Sequence, residues 1–252
     1  TRYGDIGLLW FDGQWEGTWT HERAIILAER CRALSPRIII NNRVDKAGPN
    51  PFLPGKYARG SDQWRSARSA GDYSTPELDI PDAGVPGEPW ESCITMNDNW
   101  GYSRFDTNFK STARLVEILV ETASKGGNLL LNVGPDGTGR IPEQSVRGLR
   151  EIGAWMAVHG EAIHGTTGSP MPEAGVRITA RGRRLHCFVP PVHRGDLVLP
   201  LSSARVQRAW IMGDRSRTTL SVSRDGEQTV IGLPAVSLDP ICAVVVVELA
   251  DG

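Results

Sequence analysis

Apolar and polar positions change rhythm twice along this chain, and the rhythm defines its elements. Residues 6–10 form a short apolar run that predicts a buried strand. Residues 21–34 then place Ala24, Ile25, Ala28, Cys31 and Leu34 at the spacing of one helical face. A second buried strand is predicted over 37–41, a third over 93–97 and a fourth over 128–133. Residues 109–124, with Ala113, Val116, Leu119, Val120 and Ala123 inward, predict a helix, and residues 143–159 a last amphipathic one. Strands interleaved with helices imply a parallel α/β sheet. Four strands cannot close a barrel, so an apolar open edge is expected beside the first strand.

From about residue 168 the texture turns to short alternating segments at 184–189, 196–199, 206–212, 229–233 and 243–249, separated by Gly, Pro and Asp turns. That spacing predicts an antiparallel β-sandwich over 166–252, following an α/β part over 1–165. The stretch 45–91 is rich in Pro and Gly and too long for mere connection, which marks it as a loop that bears function.

The chain has 252 residues and a formal net charge of −1, so nothing electrostatic points to nucleic acid or an anionic membrane as partner. Cys31, Cys93, Cys187 and Cys242 form no C-x-x-C pair and read as free thiols. The five histidines have no metal-ligand spacing, so no metal or cofactor is expected. No apolar run reaches the roughly 18 residues of a membrane span.

Candidate chemistry gathers after the strand ends. Asp12 follows the first strand, flanked by Trp10 and Trp15. A carboxylate at a strand's carboxyl end, beside rings that stack on sugars, is how α/β barrels build glycosidase sites, although Asp-Gly is also a common turn. Asn41, Asn42 and Arg43 follow the second strand, and Arg43 can hold a carboxylate in a fork or form a surface ion pair. A retaining glycosidase needs a second, protonated carboxyl; Glu77 and Glu91 both contend, and spacing does not choose between them. Trp100 and Tyr102 offer another aromatic platform beyond the third strand. The turn at 132–137 lacks the glycine order of a phosphate-binding loop and reads as a structural βα turn.

At these residues the chain resembles the retaining α-L-fucosidases of glycoside hydrolase family 29. The resemblance rests on Trp10-Phe-Asp12-Gly, Asn42-Arg43, Gly71-Asp-Tyr-x-Thr-Pro-Glu77 and Trp90-Glu91-x-Cys93 with Trp100-Gly-Tyr102. Lys125-Gly-Gly-Asn128 through Gly137 and Gly160-Glu-Ala-Ile163 extend it, so that it covers residues 1 to about 165. It implies that Asp12 is the nucleophile, Glu77 the acid/base with Glu91 as fallback, and Trp10, Trp15, Arg43 and Trp100 the sugar contacts. It further implies a fucosylated oligosaccharide or glycoconjugate as substrate and no cofactor. A homo-oligomer and a secreted, periplasmic or lysosome-like compartment are compatible with it.

The family's barrel begins with three further strand units and their sugar-binding histidines. The chain is therefore expected to hold a partial (β/α)8 TIM-like barrel, about strands 4 to 8, and then the sandwich. An alternative expectation follows: an inactive fragment that serves only as a sugar-binding or structural module. The tail's single tryptophan, Trp210, favours a structural sandwich over a carbohydrate-binding module. Linkage preference is expected to be set by loops such as 46–70.

Overall fold

Thr20 opens the first helix by accepting a hydrogen bond from the Arg23 amide, and α1 runs His21–Leu34 as its sequence predicts. The computed structural model describes residues 4–46, 70–85, 87–234 and 239–250. Within α1, Ala24 and Ala28 are buried and Leu27 and Cys31 partly so, whereas Ile25 and Leu34 are exposed. The buried stripe follows i, i+3, i+4, i+7, and the latter two side chains lie off it.

The described residues divide into two compact units, residues 1–94 with 127–131, and residues 95–126 with 132–252. In the first unit β1 (Leu8–Leu9) pairs in parallel with β2 (Ile39–Ile40), and Ile38, Ile40, Val44 and Ala28 form the core beside them. Both strands are shorter than the predicted 6–10 and 37–41. The ladder ends because the Asn41 side chain takes over: its Oδ1 accepts from the Phe11 amide at 2.7 Å and its Nδ2 donates to the Phe11 carbonyl at 2.9 Å. β3 (Glu91–Thr95) pairs with β4 (Asn128–Asn132). β3 begins two residues earlier than predicted, since the Glu91 amide already donates to the Ser74 carbonyl.

Residues 73–77, expected to be loop, carry the sheet between these pairs. Single parallel bridges join Asn41 to Tyr73, Ser74 to Trp90 and Glu77 to Cys93. Where the chain passes Trp90 it needs glycine: a Cβ on Gly127 would stand 2.4 Å from the buried indole.

In the second unit α2 spans Thr112–Ser124, with Ser111 capping the Arg114 amide, so it starts three residues later than predicted. Leu115, Val116, Ile118 and Val120 are buried, while Ala113 is exposed and Leu119 and Ala123 are only half-buried. Leu115 packs toward Gly148 of α3 (Glu143–His159), so α2 is covered on more than the single face its periodicity indicates.

The tail forms two antiparallel sheets. One has the order β5 (Arg177–Arg181), β6 (Arg184–Val189), β11 (Ala243–Leu249), β8 (Val206–Ile211); the other β7 (Leu197–Leu199), β10 (Gln228–Ile231), β9 (Val222–Asp225). Ile178, Leu185, Leu197, Leu199, Ile231 and Val245 share one core between them. β5 and β9 escape the sequence pattern because they are edge strands with charged residues and incomplete alternation. The expected boundary near residue 165 falls inside this unit, where Val116, Val120 and Trp155 of the helices share a core with Phe188 and Val244.

Candidate active site

Arg43 organises the first unit's polar centre. It sits on a single 3-10 turn, Asn42–Val44, directly after β2, and only 5% of its side chain is exposed. A buried guanidinium must satisfy its donors. Nε donates to Thr75 Oγ1 at 2.9 Å, Nη1 to Asp12 Oδ1 at 3.2 Å and Nη2 to the Thr75 carbonyl at 3.2 Å. Nη2 also lies 2.9 Å from Glu77 Oε2 and 3.4 Å from Cys93 Sγ. The guanidinium stands over the Trp10 ring, 4.8 Å from its centroid.

One cation thus touches two carboxylates of contrasting exposure. The Asp12 side chain is 51% exposed and that of Glu77 9%. Their positions follow from the strand ends: Asn41 clamps Phe11 beside Asp12, while the bridge to Cys93 holds Glu77. Leu78, immediately after Glu77, has φ of 53°, a left-handed conformation that costs a non-glycine residue about 1 kcal/mol.

Glu91 stands in a different environment. Its Oε1 accepts from Trp10 Nε1 at 3.2 Å, and burial pushes its carboxyl above the usual range, with the indole donor opposing in part. The Tyr73 phenol is pushed up strongly by burial, with the charge of Glu91 adding to it. Burial also raises the Cys93 thiol to about 12, against the pull of Arg43, so it is a neutral neighbour and not a nucleophile.

Asp12, Arg43, Glu77, Glu91 and Trp10 therefore converge. Trp15 is half-buried on the following loop, where Trp19 donates its indole N–H to the Val44 carbonyl at 2.9 Å. Trp100 belongs to the second unit, where its ring is partly exposed. Of the loop 46–70, residues 47–69 lie outside the described residues. Sequence reasoning assigned no role to Asn41, Thr75 or Cys93. Asn41 stands among the polar residues after the second predicted strand, and Thr75 and Cys93 figure only as members of the motifs that carry the family resemblance. Among the described residues no three His, Cys, Asp or Glu side chains cluster to hold a metal ion.

The family model described as Alpha-L-fucosidase matches residues 1–161. The chain belongs to the α-L-fucosidase family. It is 29% identical over 240 residues to the tissue α-L-fucosidase of Bos taurus, covering 90% of this chain and 47% of that protein. Its structure resembles α-L-fucosidase isoenzyme 1 from Paenibacillus thiaminolyticus with a TM-score of 0.82 and 31% identity, over 100% of this chain and 59% of that one. The same fold recurs in a family GH29 α-L-fucosidase from Bacteroides thetaiotaomicron described as a trapped covalent intermediate. The TM-score there is 0.78 at 20% identity, over 99% of this chain and 58% of that one. Against the bovine and Paenibacillus α-L-fucosidases, this chain spans about half their length.

Proposed function

We propose that this chain carries the catalytic carboxylates of a retaining exo-α-L-fucosidase, which releases terminal L-fucose from glycans. The observation that carries the reading is the single buried guanidinium of Arg43, in contact with both Asp12 and Glu77. Within it, the parallel bridges of the first unit belong to a (β/α)8 barrel. Asp12 is the nucleophile: its exposed carboxylate bonds to the anomeric carbon as the glycosidic C–O bond breaks. The leaving oxygen takes a proton from Glu77. Glu77, now ionised, then removes a proton from the water that displaces Asp12 and restores the anomeric configuration. Arg43 orients both acids, and Trp10 and Trp15 present apolar faces to the sugar. The trapped covalent intermediate of the Bacteroides family member supports the two-step course.

One observation favours a second assignment of the acid. Burial raises Glu91, which has an indole N–H and no guanidinium beside it, and a raised carboxyl is the form a proton donor needs. Assay of the chain on p-nitrophenyl α-L-fucoside tests both readings. Asp12→Gly is expected to lower kcat on the order of a thousandfold or more, and wild-type turnover in that variant overturns the nucleophile. Azide restores turnover with retained configuration in whichever of Glu77→Gln and Glu91→Gln has lost the acid/base.

A further inference from the structure

The register of the larger tail sheet sets charged residues in a line. Arg181 of β5 stands opposite Arg184 of β6, Arg184 opposite Glu248 of β11, and Glu248 opposite Arg208 of β8. Directly paired residues point to one face, so the line crosses the sheet on a single side, about 14 Å from end to end. Farther along the same side Phe188 and Val244 are buried in a core shared with the helices, whereas Arg181 is exposed and Arg184, Arg208 and Glu248 are partly so. An open concavity of about 510 Å³ adjoins the line, walled by Glu161, Arg181, Arg183, Arg184 and Glu248.

Like charges directly opposite each other cost stability, and Arg181 and Arg184 are such a pair. The carboxylates at hand go to one arginine. Glu161, on the 3-10 turn Gly160–Ala162, lies 3.0 Å from Arg184 Nη1, and Glu248 lies 3.5 Å from Arg184 Nε. Among the described residues Arg181, Arg208 and Arg217 form no salt bridge. The cations are nevertheless held in place: Arg184, Arg208 and Arg217 stand 5.8, 5.5 and 5.5 Å from the Trp210 ring centroid, and Arg208 Nε donates to Thr219 Oγ1 at 3.0 Å. A fixed cationic line of this kind attracts anions, although the whole chain has a net charge of −1. Its surroundings choose among them. Trp210 is 5% exposed and the four strands expose no large apolar side chain, so the line offers no ring for base stacking and no anchor for a membrane interface. Glu161 and Glu248 stand beside it as acceptors, which hydroxyl groups satisfy and phosphate oxygens do not.

We propose that this line is a docking surface for an anionic polysaccharide, whose acidic groups pair with Arg181 and Arg208 while its hydroxyls donate to Glu161 and Glu248. The inference stands apart from the fucosidase reading, because all of these residues belong to the second unit. The test is calorimetric titration of the full chain with dextran sulfate, with unsulfated dextran of the same length alongside. A dissociation constant of about 10 μM in about 50 mM NaCl is expected, weakened at least about tenfold in about 500 mM NaCl, with no binding of unsulfated dextran. Arg181→Ser combined with Arg208→Ser is expected to weaken binding about tenfold. Arg224→Ser, at an exposed position of the facing sheet, is expected to leave it unchanged. Removal of Arg181 relieves a repulsion, so the melting temperature of Arg181→Ser is expected not to fall, which separates lost binding from lost fold. Unchanged binding in the double variant, equal loss in Arg224→Ser, binding of unsulfated dextran, or equal affinity for a DNA duplex or for phosphatidylserine vesicles overturns the proposal. A chain without turnover on any fucoside defeats the fucosidase reading and is still expected to bind dextran sulfate.

Discussion

Arg43 is the residue on which the first unit's chemistry and stability meet. Its removal leaves Glu77 buried beside a hole where a charge stood, so Arg43→Met is expected to cost about 3–5 kcal/mol, read as a shift of the urea midpoint. Arg43→Lys keeps the charge but not the fork that reaches Thr75, Asp12 and Glu77 at once. It is expected to retain most of the stability and lose at least about tenfold in kcat on an aryl fucoside. Equal turnover in the lysine variant would show that the fork has no catalytic part. At this scale the sequence is informative where a charged side chain stands at a strand end or in a motif. Asp12, Arg43 and Glu77 stand at strand ends or in a motif and can be read there, and the structure brings them together. Asn41 and Thr75 act through hydrogen bonds to backbone and to Arg43, and no one-dimensional pattern distinguishes them from other polar loop residues.

Among the elements, the helices are legible to within a few residues, and the four predicted strands of the first unit are all present, though only the fourth, Asn128–Asn132, keeps its predicted extent to within one residue. α1 and α3 fall on the residues their periodicity marks, because a helix satisfies its backbone locally. β1 and β2 shrink to two residues each, because their extent depends on Asn41, thirty positions from Phe11. The segment 73–77 reads as loop because it is held by single bridges to partners distant in sequence. Packing demands are equally local in space and distant in sequence. Gly127 has no room for a side chain against Trp90, a rigid ring that is 2% exposed. Gly127→Ala is therefore expected to destabilise the chain by about 1–3 kcal/mol in thermal denaturation. A melting temperature equal to wild type would mean that the indole moves aside freely.

At the scale of the whole molecule, pH acts on the second unit through buried imidazoles. The His159 ring lies tilted against Trp155 with the centroids 4.9 Å apart, and its Nε2 lies 3.4 Å from Asp239. Burial lowers its pKa, and the Asp239 carboxylate opposes this in part. His186, also buried, is lowered in the same direction. The neutral ring is the folded form, so its contribution to stability is complete above about 6.5 and is lost as pH falls through the lower folded value. Urea midpoints measured from pH 7 downward are expected to fall more steeply in wild type than in His159→Gln; parallel slopes would exclude His159 as the source. The single-bridge strip through residues 73–77 has a consequence of its own. It works as a seam, crossed where the Asn42 amide meets the Tyr73 carbonyl, Glu91 meets Ser74 and Cys93 meets Pro76. Pro76 has no N–H to donate, so the ladder is interrupted there and opens more readily than a continuous one, and these three amides are expected to exchange with solvent deuterium as a group. On the proposed function, a sugar held between Asp12 and Glu77 is expected to draw these strands together, so that slowed exchange at those amides would measure occupancy without turnover.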